Sequence, residues 1–328
     1  MKPKIGFIGA GSIAKFHIEA AQYAGFELFG ICARPNSKNA AHLADEYKFT
    51  QTIKSIADLK KLKLDALSII AKTSEALRIY NYLLELEIPI LIEKPVTTSV
   101  QDFDNIVDLE RKSTLVGYNR RFYNSVQELK LQIGHCITQS HWNISELSWL
   151  KNSTESARSK ALMENSVHIF DLMRYLFGDI KDVSVEGIVD INGVNGVSGI
   201  IKFITGSIST VSLSFGVPTN TSAEIYSGND NFLLKPIETL QRYSSIKIEH
   251  PTKELPIRRY IPQIDASWKM SKQDIDFKPG FCEQYLEFMG LVVGQQRKIS
   301  ASLNDAKLAI DIAEIFLNSF QSSHKYRH

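Results

Sequence analysis

Short apolar runs alternate with amphipathic helical patterns over residues 1 to about 120. This alternation is typical of a parallel sheet whose strands are joined by crossover helices. The helical patterns lie near 12–24, 37–47, 75–86 and 99–112. The predicted strands between them are Lys4–Gly9, Glu27–Cys32, Asp65–Ala71, Ile88–Ile92 and Thr114–Tyr118. The chain is therefore expected to begin with a doubly wound α/β domain.

The pattern changes from about residue 183, where β-rich segments follow one another through short turns. Connections this short exclude crossover helices, so a largely antiparallel sheet is expected. A last long helix over Leu303–Phe320 is expected to pack across the domain boundary. The predicted domains are residues 1–120 and residues 121–328. The β-rich segments are Val183–Ile191, Gly196–Ile204, Ser207–Phe215 and Ser222–Tyr226.

A glycine turn joins the first predicted strand to the first helix. Gly9 supplies the backbone angles of the turn, and Gly11 lets the main chain approach a pyrophosphate. Ala14 lets the helix pack near the strand, and the positive end of the helix then faces the phosphates. The pattern indicates dinucleotide contacts at this turn, including Ser12 and Ile13. The alternative is a glycine turn in an ordinary β-α unit.

The end of the second strand bears on which dinucleotide is bound. An acidic residue there usually binds the ribose hydroxyls of NAD, but no Asp or Glu lies between Leu28 and Ala44. Arg34 stands at the strand end, and Ser37 and Lys38 open the next helix. A guanidinium can stack on adenine and form two hydrogen bonds with a 2′-phosphate. NADP is therefore expected, with NAD as the alternative, since these cations could also be solvated loop charges.

Three further stretches carry a resemblance to one family. Glu93-Lys-Pro95 follows a strand, Gly117-Tyr-Asn-Arg-Arg-Phe122 follows the next, and His168-Ile-Phe-Asp171 lies on a later helix. With the glycine turn, and in this order, they resemble the Gfo/Idh/MocA oxidoreductases over essentially the whole chain. The resemblance implies a Rossmann domain that binds the dinucleotide. It also implies an α/β domain with an open, mostly antiparallel sheet that binds substrate and mediates oligomerisation.

The resemblance implies an NAD(P)-dependent oxidoreductase that acts on a hydroxyl or carbonyl of a sugar, a polyol or a nucleotide-activated sugar. Lys94 would contact the substrate hydroxyl and the nicotinamide ribose, and His168 is the candidate general base. On a helix predicted from Ser159 to Phe177, Glu164, His168 and Asp171 fall at i, i+4 and i+7 and would share one face. The two carboxylates could then orient the imidazole. A satisfied core histidine is the alternative.

Two positions depart from the family pattern. Glu164 stands where relatives often carry Asp, so it either orients His168 or points elsewhere and binds substrate. Leu77 stands where relatives often carry His, which leaves the inherited nicotinamide and phosphate contacts open. Lys72, just after the third strand, either approaches the cofactor or faces solvent.

The remaining expected contacts surround these motifs. One of Asn119, Arg120 and Arg121 could meet the nicotinamide carboxamide or an anionic substrate group, while another pairs structurally. Trp142 and Trp149 suit either stacking of a sugar ring or the core of the sheet. The expected cofactor contacts are Gly9, Gly11, Ser12, Ile13, Arg34, Ser37, Lys38, Ala71, Glu93, Lys94 and Asn119. The expected substrate contacts are Lys94, Arg120, Trp142, Asn165, His168 and Asp171, and the expected catalytic residues are Lys94, His168 and Glu164.

Composition narrows the class of protein. The 328 residues, 23% charged and 44% hydrophobic, suffice for two globular cores. The formal net charge of +2, without a long basic run, gives no indication of a nucleic acid or membrane partner. Cys32, Cys136 and Cys282 lack metal-ligand spacing and fit a reducing cytoplasm. No signal peptide or membrane span is predicted, and a cytoplasmic protein without a metal site is expected.

Two alternatives to a dehydrogenase remain: a catalytically silent dinucleotide-binding regulator and an NAD-dependent glycosidase. Lys94 and His168 argue against the regulator. Whatever the activity, an open sheet with one uncovered face must hide apolar residues such as Val211, Leu213 and Phe215, or the residues that alternate with them. A homodimer or homotetramer through the C-terminal sheet is therefore expected.

Overall fold

The computed structural model describes residues 1–147, 153–190 and 193–322. The chain divides into two compact units. The first consists of Met1–Phe122 and Lys272–Glu314, and the second of Tyr123–Ser271 and Ile315–His328. The division into residues 1–120 and 121–328 stays a prediction. The structure adds that a C-terminal segment groups with the first unit.

The first unit contains a six-stranded parallel sheet in the order β3-β2-β1-β4-β5-β6. The strand order reverses between β1 and β4, which makes the carboxyl edge there a topological switch point. The strands are β1 (Lys4–Ile8), β2 (Glu27–Cys32), β3 (Gln51–Ile53), β4 (Ala66–Ile69), β5 (Ile90–Ile92) and β6 (Thr114–Val116). The helices that begin in this unit are α1 (Ala14–Tyr23), α2 (Lys38–Glu46), α3 (Ile56–Leu59), α4 (Thr73–Leu83), α8 (Lys272–Asp276), α9 (Phe281–Val292) and α10 (Leu303–Ser322). The expected doubly wound domain is confirmed.

The core of the first unit forms where α1 and α9 cover β1. Ile5 and Phe7 of β1 are fully buried, because a strand covered by helices presents apolar side chains to both faces. Phe281 and Phe288 of α9 belong to the same hydrophobic cluster. The buried face of α1 includes one polar side chain, His17, which is 0% exposed. A histidine without solvent needs partners inside the protein.

The second unit contains an eight-stranded sheet in the order β14-β13-β12-β11-β7-β10-β9-β8. Only β7 and β10 pair in parallel within this sheet, so the expected mostly antiparallel sheet is confirmed. The strands are β7 (Thr138–Glu146), β8 (Ile180–Asp190), β9 (Gly193–Phe203), β10 (Ile208–Phe215), β11 (Ser222–Ser227), β12 (Asp230–Leu234), β13 (Leu240–Glu249) and β14 (Arg259–Trp268). The helices are α5 (Asn124–Ile133), α6 (Glu155–Ala161) and α7 (Val167–Phe177).

The two faces of this sheet differ in character, as β10 illustrates. Val211, Leu213 and Phe215 are buried at 3%, 1% and 5% exposure, whereas Ser212 between them is exposed. The three apolar residues therefore lie in the core of the second unit, and the alternating residues occupy the other face. A broad groove of about 770 Å³ on the sheet is lined largely by polar residues such as His141, Asn143, Ser198, Thr210, Ser212 and Glu224.

Several segments of the first unit differ from the sequence-based expectation, and β3 (Gln51–Ile53) and α3 (Ile56–Leu59) were not predicted. The helix expected over 99–112 is wrong, because the structure has only a short 3-10 helix there, Val100–Asn105. The pattern that suggested a helix is explained by a few buried residues such as Phe103, which is 1% exposed. A second 3-10 turn, Leu84–Leu86, follows α4 directly. Among the described residues, no helix combines the length and apolar character needed to cross a membrane.

The alternation of β10 can be tested by paired substitutions. Leu213→Ala is expected to lower the free energy of unfolding by about 2–5 kcal/mol, because it leaves a cavity in a packed core. Ser212→Ala, on the exposed face, is expected to change it by less than about 0.5 kcal/mol. Urea unfolding of both variants checks this. Equal destabilisation by the two changes would contradict the assigned faces.

Candidate functional site

A cavity of about 420 Å³ lies at the carboxyl edge of the parallel sheet in the first unit. Its lining comes from the turn after β1, the ends of β2 and β4, and the start of α4, so it occupies the switch point. Ligands of open α/β sheets bind in this crevice. The expected contacts Gly9, Gly11, Arg34, Ser37 and Ala71 all line it.

The glycine turn has the geometry that the sequence predicts. Gly9 has φ +115°, and a Cβ there would overlap the carbonyl oxygen of Ile70 on β4's side of the crevice. Its N–H donates to the carbonyl of Cys32 at 2.8 Å, which ties the turn to β2. A Cβ on Gly11 would meet no atom within 4 Å. Gly9 is thus required by the fold itself, whereas Gly11 leaves open space in which a ligand can approach the main chain.

The start of α1 is suited to an anion. Ile13 is the N-cap residue and provides no side-chain hydrogen bond to the helix. Ser12, just before it, is exposed. The N-terminal N–H groups of a helix bind anions when a side chain does not satisfy them. The residues around this turn therefore fit the pyrophosphate of a dinucleotide.

Cations dominate the charged lining of the cavity. Arg34, Lys54, Lys72 and Arg78 line it together with one acidic residue, Glu75, which forms an ion pair with Arg78. Such a surface favours a ligand that carries several phosphate charges. Lys72, whose position the sequence left open, is thus part of the cavity wall.

Ser37 and its neighbours show how the loop after β2 is held. The Ser37 hydroxyl accepts a hydrogen bond from the N–H of Ala40 at 3.2 Å and so caps α2. Its own proton is still available for a ligand oxygen. Lys38 is exposed and lies outside the cavity lining, whereas Lys54 after β3 is part of it. Lys54 is a candidate contact that the sequence analysis missed.

A buried polar cluster lies behind the Glu93-Lys-Pro95 motif. Glu93 follows β5, and its Oε2 is 3.7 Å from Nε2 of His17 on α1. His17 Nδ1 is 3.0 Å from the hydroxyl of Tyr285 on α9, and that hydroxyl is 2.7 Å from Oγ of Ser68 on β4. A Cβ on Gly117 would overlap Oε2 of Glu93, so glycine at this position makes room for the carboxyl group.

Burial shifts the two titratable groups of this cluster in opposite directions. It raises the pKa of Glu93 from 4.5 to about 7, although the ammonium groups of Lys94 and Lys278 oppose the shift. It lowers the pKa of His17 from 6.5 to about 3, and the charge of Lys278 adds to that shift. Both shifts disfavour the charged form of a buried group. Near neutral pH the imidazole is therefore uncharged and the carboxyl group lies close to its titration midpoint.

The segment after β6 contributes mainly structural contacts. Asn119 is 6% exposed, and its Nδ2 donates to the carbonyl oxygen of Pro279 at 2.8 Å, which positions the loop that carries Lys278. Arg121 is 5% exposed and donates to the carbonyl of Ile299 at 3.2 Å. Arg120 is half-buried, so of the two arginines it is the one accessible to a ligand.

In the second unit, the helix expected from Ser159 to Phe177 is not regular. A π-helical segment, Leu162–Ser166, separates α6 from α7. It contains Glu164, which is half-buried and 3.9 Å from Nζ of Lys160, and the single face shared by Glu164, His168 and Asp171 stays a prediction. His168 and Asp171 lie one turn apart in α7 and are buried, at 7% and 0% exposure.

The π-helical segment has a neighbour that explains its shape. Glu146, at the end of β7, is 3% exposed and accepts hydrogen bonds from two consecutive residues of the segment. Ser166 Oγ donates to its Oε1 at 2.5 Å, and Asn165 Nδ2 to its Oε2 at 3.2 Å. A wider turn brings two consecutive side chains to one carboxylate, and such turns are frequent at functional sites. Glu146 was also missed by the sequence analysis.

The aromatic candidates have different outcomes. Trp142 is 2% exposed, its Nε1 donates to Ser140 Oγ at 3.1 Å, and its ring packs against Phe177. A sugar ring has no access to this side chain, so the core interpretation of Trp142 is correct and the stacking interpretation is wrong. Trp149 lies outside the described residues.

The sequence does contain a signal for one of the missed contacts, the approach of His17 to Glu93. Ala14, His17, Ile18 and Ala21 recur at helical spacing on the buried face of α1. A histidine on such a face requires a buried partner, which could have directed attention to Glu93. Tyr285 and Ser68 lie 268 and 51 positions from His17 along the sequence, so no local pattern connects them to it.

The opposite pKa shifts of Glu93 and His17 predict that the free energy of unfolding depends on pH in opposite ways in two variants. In His17→Gln only Glu93 remains, and its folded pKa is raised. Its stabilising contribution is present below about pH 4.5 and is lost as the pH rises to about 7. In Glu93→Gln only His17 remains, and its folded pKa is lowered. Its contribution is present above about pH 6.5 and is lost as the pH falls to about 3.

Urea unfolding of both variants at several pH values between those limits measures this. Relative to the unsubstituted protein, the free energy of unfolding is expected to fall with pH in His17→Gln and to rise with pH in Glu93→Gln. The span is on the order of a few kcal/mol. Parallel curves for the two variants would contradict the assigned protonation states.

Comparison with known proteins identifies the first unit's fold. Residues 3–119 match the model of the GFO_IDH_MocA oxidoreductase family, described as having an NAD-binding Rossmann fold. The UDP-N-acetylglucosamine 3-dehydrogenase of Acidithiobacillus ferrooxidans is 26% identical over 194 residues, which cover 57% of this chain and 59% of that protein. The inositol 2-dehydrogenase of Corynebacterium glutamicum is 28% identical over 200 residues, or 56% of each chain. The matched segments thus span little more than half the length of these curated relatives.

Solved structures extend the likeness in fold to nearly the whole chain. A structure of the Acidithiobacillus ferrooxidans enzyme superposes with a TM-score of 0.77 at 17% identity and covers 98% of this chain and 99% of its own. Levoglucosan dehydrogenase in complex with NADH superposes with a TM-score of 0.75 at 15% identity and covers 98% of each chain. These likenesses concern the fold. The family match covers residues 3–119, where the glycine turn and the Glu93-Lys-Pro95 motif lie.

Proposed function

We propose that this protein is a nicotinamide-dependent dehydrogenase or reductase that acts on a CH–OH group of a sugar or polyol. The observation that carries the proposal is the cavity at the switch point, with its glycine turn, open space at Gly11 and cationic wall. These features fit a dinucleotide. The names of the curated relatives, a UDP-N-acetylglucosamine 3-dehydrogenase and an inositol 2-dehydrogenase, support a polyhydroxylated substrate.

The residues of the first unit have distinct roles in this proposal. Gly9, Gly11 and the start of α1 hold the pyrophosphate through main-chain N–H groups. Lys94, at the carboxyl end of β5, polarises the substrate oxygen and contacts the nicotinamide ribose. A bound nicotinamide supplies the hydride acceptor or donor. Arg120 is available to an anionic or carboxamide group.

In the second unit, His168 is the proposed general base for the hydroxyl proton. Asp171 is one turn away on α7, and a carboxylate at that spacing stabilises the charged imidazolium that forms when the proton is taken up. Glu164 remains a proposed orienting carboxylate, and its place in the π-helical segment allows a different direction from that of a regular helix. Asn165, exposed and tied to Glu146, is a proposed substrate contact.

NADP is the proposed cofactor, with NAD as the alternative. Arg34 and Lys54 line the same cavity from the ends of β2 and β3, and Ser37 lies beside them. No acidic residue ends β2, where the ribose hydroxyls of NAD would be recognised. Two cations and a hydroxyl suit a 2′-phosphate better than a ribose diol.

Assembly and location are further parts of the proposal. Association through the outer face of the eight-stranded sheet into a dimer or tetramer is supported by its exposed apolar side chains, including Ile188 and Ile200 at 55% and 45% exposure. A cytoplasmic location is supported by free cysteines at positions 32, 136 and 282.

Cofactor choice is tested by titration of NADPH and NADH. The unsubstituted protein is expected to bind NADPH more tightly. Arg34→Ala is expected to weaken NADPH binding alone by about 1.5–3 kcal/mol, because it removes a charged phosphate contact. Lys38→Ala removes a nearby cation at the start of α2, outside the cavity lining, and serves as the control that is expected to change little. Equal affinities in the unsubstituted protein, or an NADH preference, would contradict NADP as the cofactor.

The catalytic roles are tested on a panel of sugars, polyols and nucleotide sugars by absorbance of the reduced nicotinamide. His168→Ala is expected to lower kcat by about 10²–10⁴-fold with little change in cofactor affinity. Lys94→Ala is expected to lower kcat and raise KM, since it contacts substrate in the ground state and the transition state.

His135→Ala, an exposed histidine of the same unit, is the control and should retain full activity. Retained activity in His168→Ala would exclude it as the base. Bound cofactor without turnover on the whole panel would favour the regulator. Sugar release with retained cofactor would favour the glycosidase.

A further inference from the structure

The buried polar cluster consists of Ser68, Tyr285, His17 and Glu93. It is a candidate for a further role because it lies beside the proposed nicotinamide end of the site. In a doubly wound fold the adenosine half lies on the β1–β3 side and the other half on the β4–β6 side. Arg34 marks the first side, and Glu93 follows β5 on the second. The Glu93 side chain is 15% exposed while its Oε2 is buried, so the carboxyl group lies at the boundary between this cluster and the surface of the first unit.

The atoms that face each other across the 3.7 Å gap have no other partner in the described part of the chain. Glu93 Oε2 and His17 Nε2 are both buried and without a hydrogen-bond partner. A buried carboxyl oxygen or ring nitrogen without a partner is unfavourable, so a small approach of the two atoms is favoured. Hydrogen bonds of functional groups are often long before a ligand binds and shorten in the complex.

The buried polar cluster can satisfy both protonation states of Glu93, because the direction of its hydrogen bonds can reverse. When Glu93 is ionised, His17 donates from Nε2 to the carboxylate, Tyr285 donates to Nδ1, and Ser68 donates to Tyr285. When Glu93 is protonated, it donates to Nε2, His17 donates from Nδ1 to Tyr285, and Tyr285 donates to Ser68. Each hydroxyl and ring nitrogen can act as donor or acceptor. His17 therefore stays neutral throughout, and only the proton on Glu93 enters or leaves.

We propose that Glu93, positioned by His17 and Tyr285, links the oxidation state of the bound nicotinamide to a proton. The oxidised ring is positively charged and favours the carboxylate, whereas the reduced ring is uncharged and leaves the carboxyl group protonated. Binding of the oxidised cofactor then releases a proton from Glu93, and binding of the reduced cofactor does not. This proposal rests on the proposed function of the same site.

The other charged groups around Glu93 do not remove this response. Lys94 and Lys278 are the cations that act on it, and His17 is the histidine that faces it. Burial opposes the two ammonium charges and keeps the pKa of Glu93 near 7, where it can respond to one further charge. Burial also raises the pKa of Tyr285, so the phenol remains a neutral member of the chain.

Calorimetric titration measures the proton directly. NAD⁺ and NADH are titrated into the full-length protein at about pH 6 in buffers of different ionisation enthalpy, and NADP⁺ and NADPH are compared in the same way. The difference between oxidised and reduced forms cancels titration of a 2′-phosphate. The excess release with the oxidised form is expected to approach one proton per site, and the affinity ratio of oxidised to reduced cofactor should rise up to about tenfold per pH unit below the pKa of Glu93.

Two variants and a control test the roles of Glu93 and Tyr285 in this proton release. Glu93→Gln should abolish the excess release and flatten the affinity ratio, whereas Glu85→Gln, an exposed carboxylate paired with Lys60, should behave like the unsubstituted protein. The affinity ratio of oxidised to reduced cofactor stops rising with pH near the pKa of Glu93, and Tyr285→Phe should move this bend to lower pH. It leaves His17 Nδ1 without a partner, and an unpaired acceptor is tolerated better than an unpaired N–H, so the tautomer that donates to the carboxylate is favoured.

The possible failures are distinguishable. Equal proton release for both forms, or an excess that persists in Glu93→Gln, would overturn the proposal while the proposed function stands. A bend that does not move, or moves to higher pH, in Tyr285→Phe would remove Tyr285 and His17 from it. If neither cofactor form binds in any buffer, the proposed function fails, and the link fails with it.

Discussion

The close approach of Gly9 to the carbonyl of Ile70 is the constraint on which the first unit's site depends. Because β1 and β4 are paired side by side up to the switch point, the chain after β1 must turn sharply against the end of β4. A φ of +115° and the absence of a Cβ allow this turn. The turn directs α1 so that its start faces the crevice and its buried face, with His17, lies against α9. One glycine thus determines both the anion site and the position of the buried imidazole.

The burial of His17 then determines what its neighbours can be. An imidazole at 0% exposure is held neutral, so its two ring nitrogens require one donor and one acceptor. Tyr285 and Glu93 are the groups that face the two nitrogens, and Ser68 completes the chain behind Tyr285. Gly117 is required for a related reason, since any side chain there would displace the Glu93 carboxyl. Glu93 of the Glu93-Lys-Pro95 motif is therefore positioned by residues of α1, α9 and β4 and by the glycine that follows β6.

How much could be predicted from the sequence depends on how far apart along the chain the interacting residues lie. The five predicted strands, the glycine turn and the position of Arg34 depend on local patterns, and the sheet and the cavity agree with them, whereas β3 and α3 were not predicted. The helix expected over 99–112 failed because apolar spacing alone does not distinguish a helix from a loop with a few buried residues. The π-helical segment could not be foreseen, because it depends on Glu146, which lies 20 positions before Ser166. The same holds for the partners of His17, which come from distant parts of the chain.

The opposite pKa shifts of Glu93 and His17 explain how such a pair can be both buried and stable. Between about pH 4.5 and 6.5 the unfolded chain carries one proton on His17, and the folded chain carries one on Glu93. Folding therefore transfers a proton within the pair and changes the total bound only slightly, so the pair contributes little to the pH dependence of stability in this range. Two neutral groups avoid the desolvation cost of a buried ion pair. They also retain a carboxyl group whose proton can be removed by a nearby positive charge, which a permanently ionised carboxylate cannot offer.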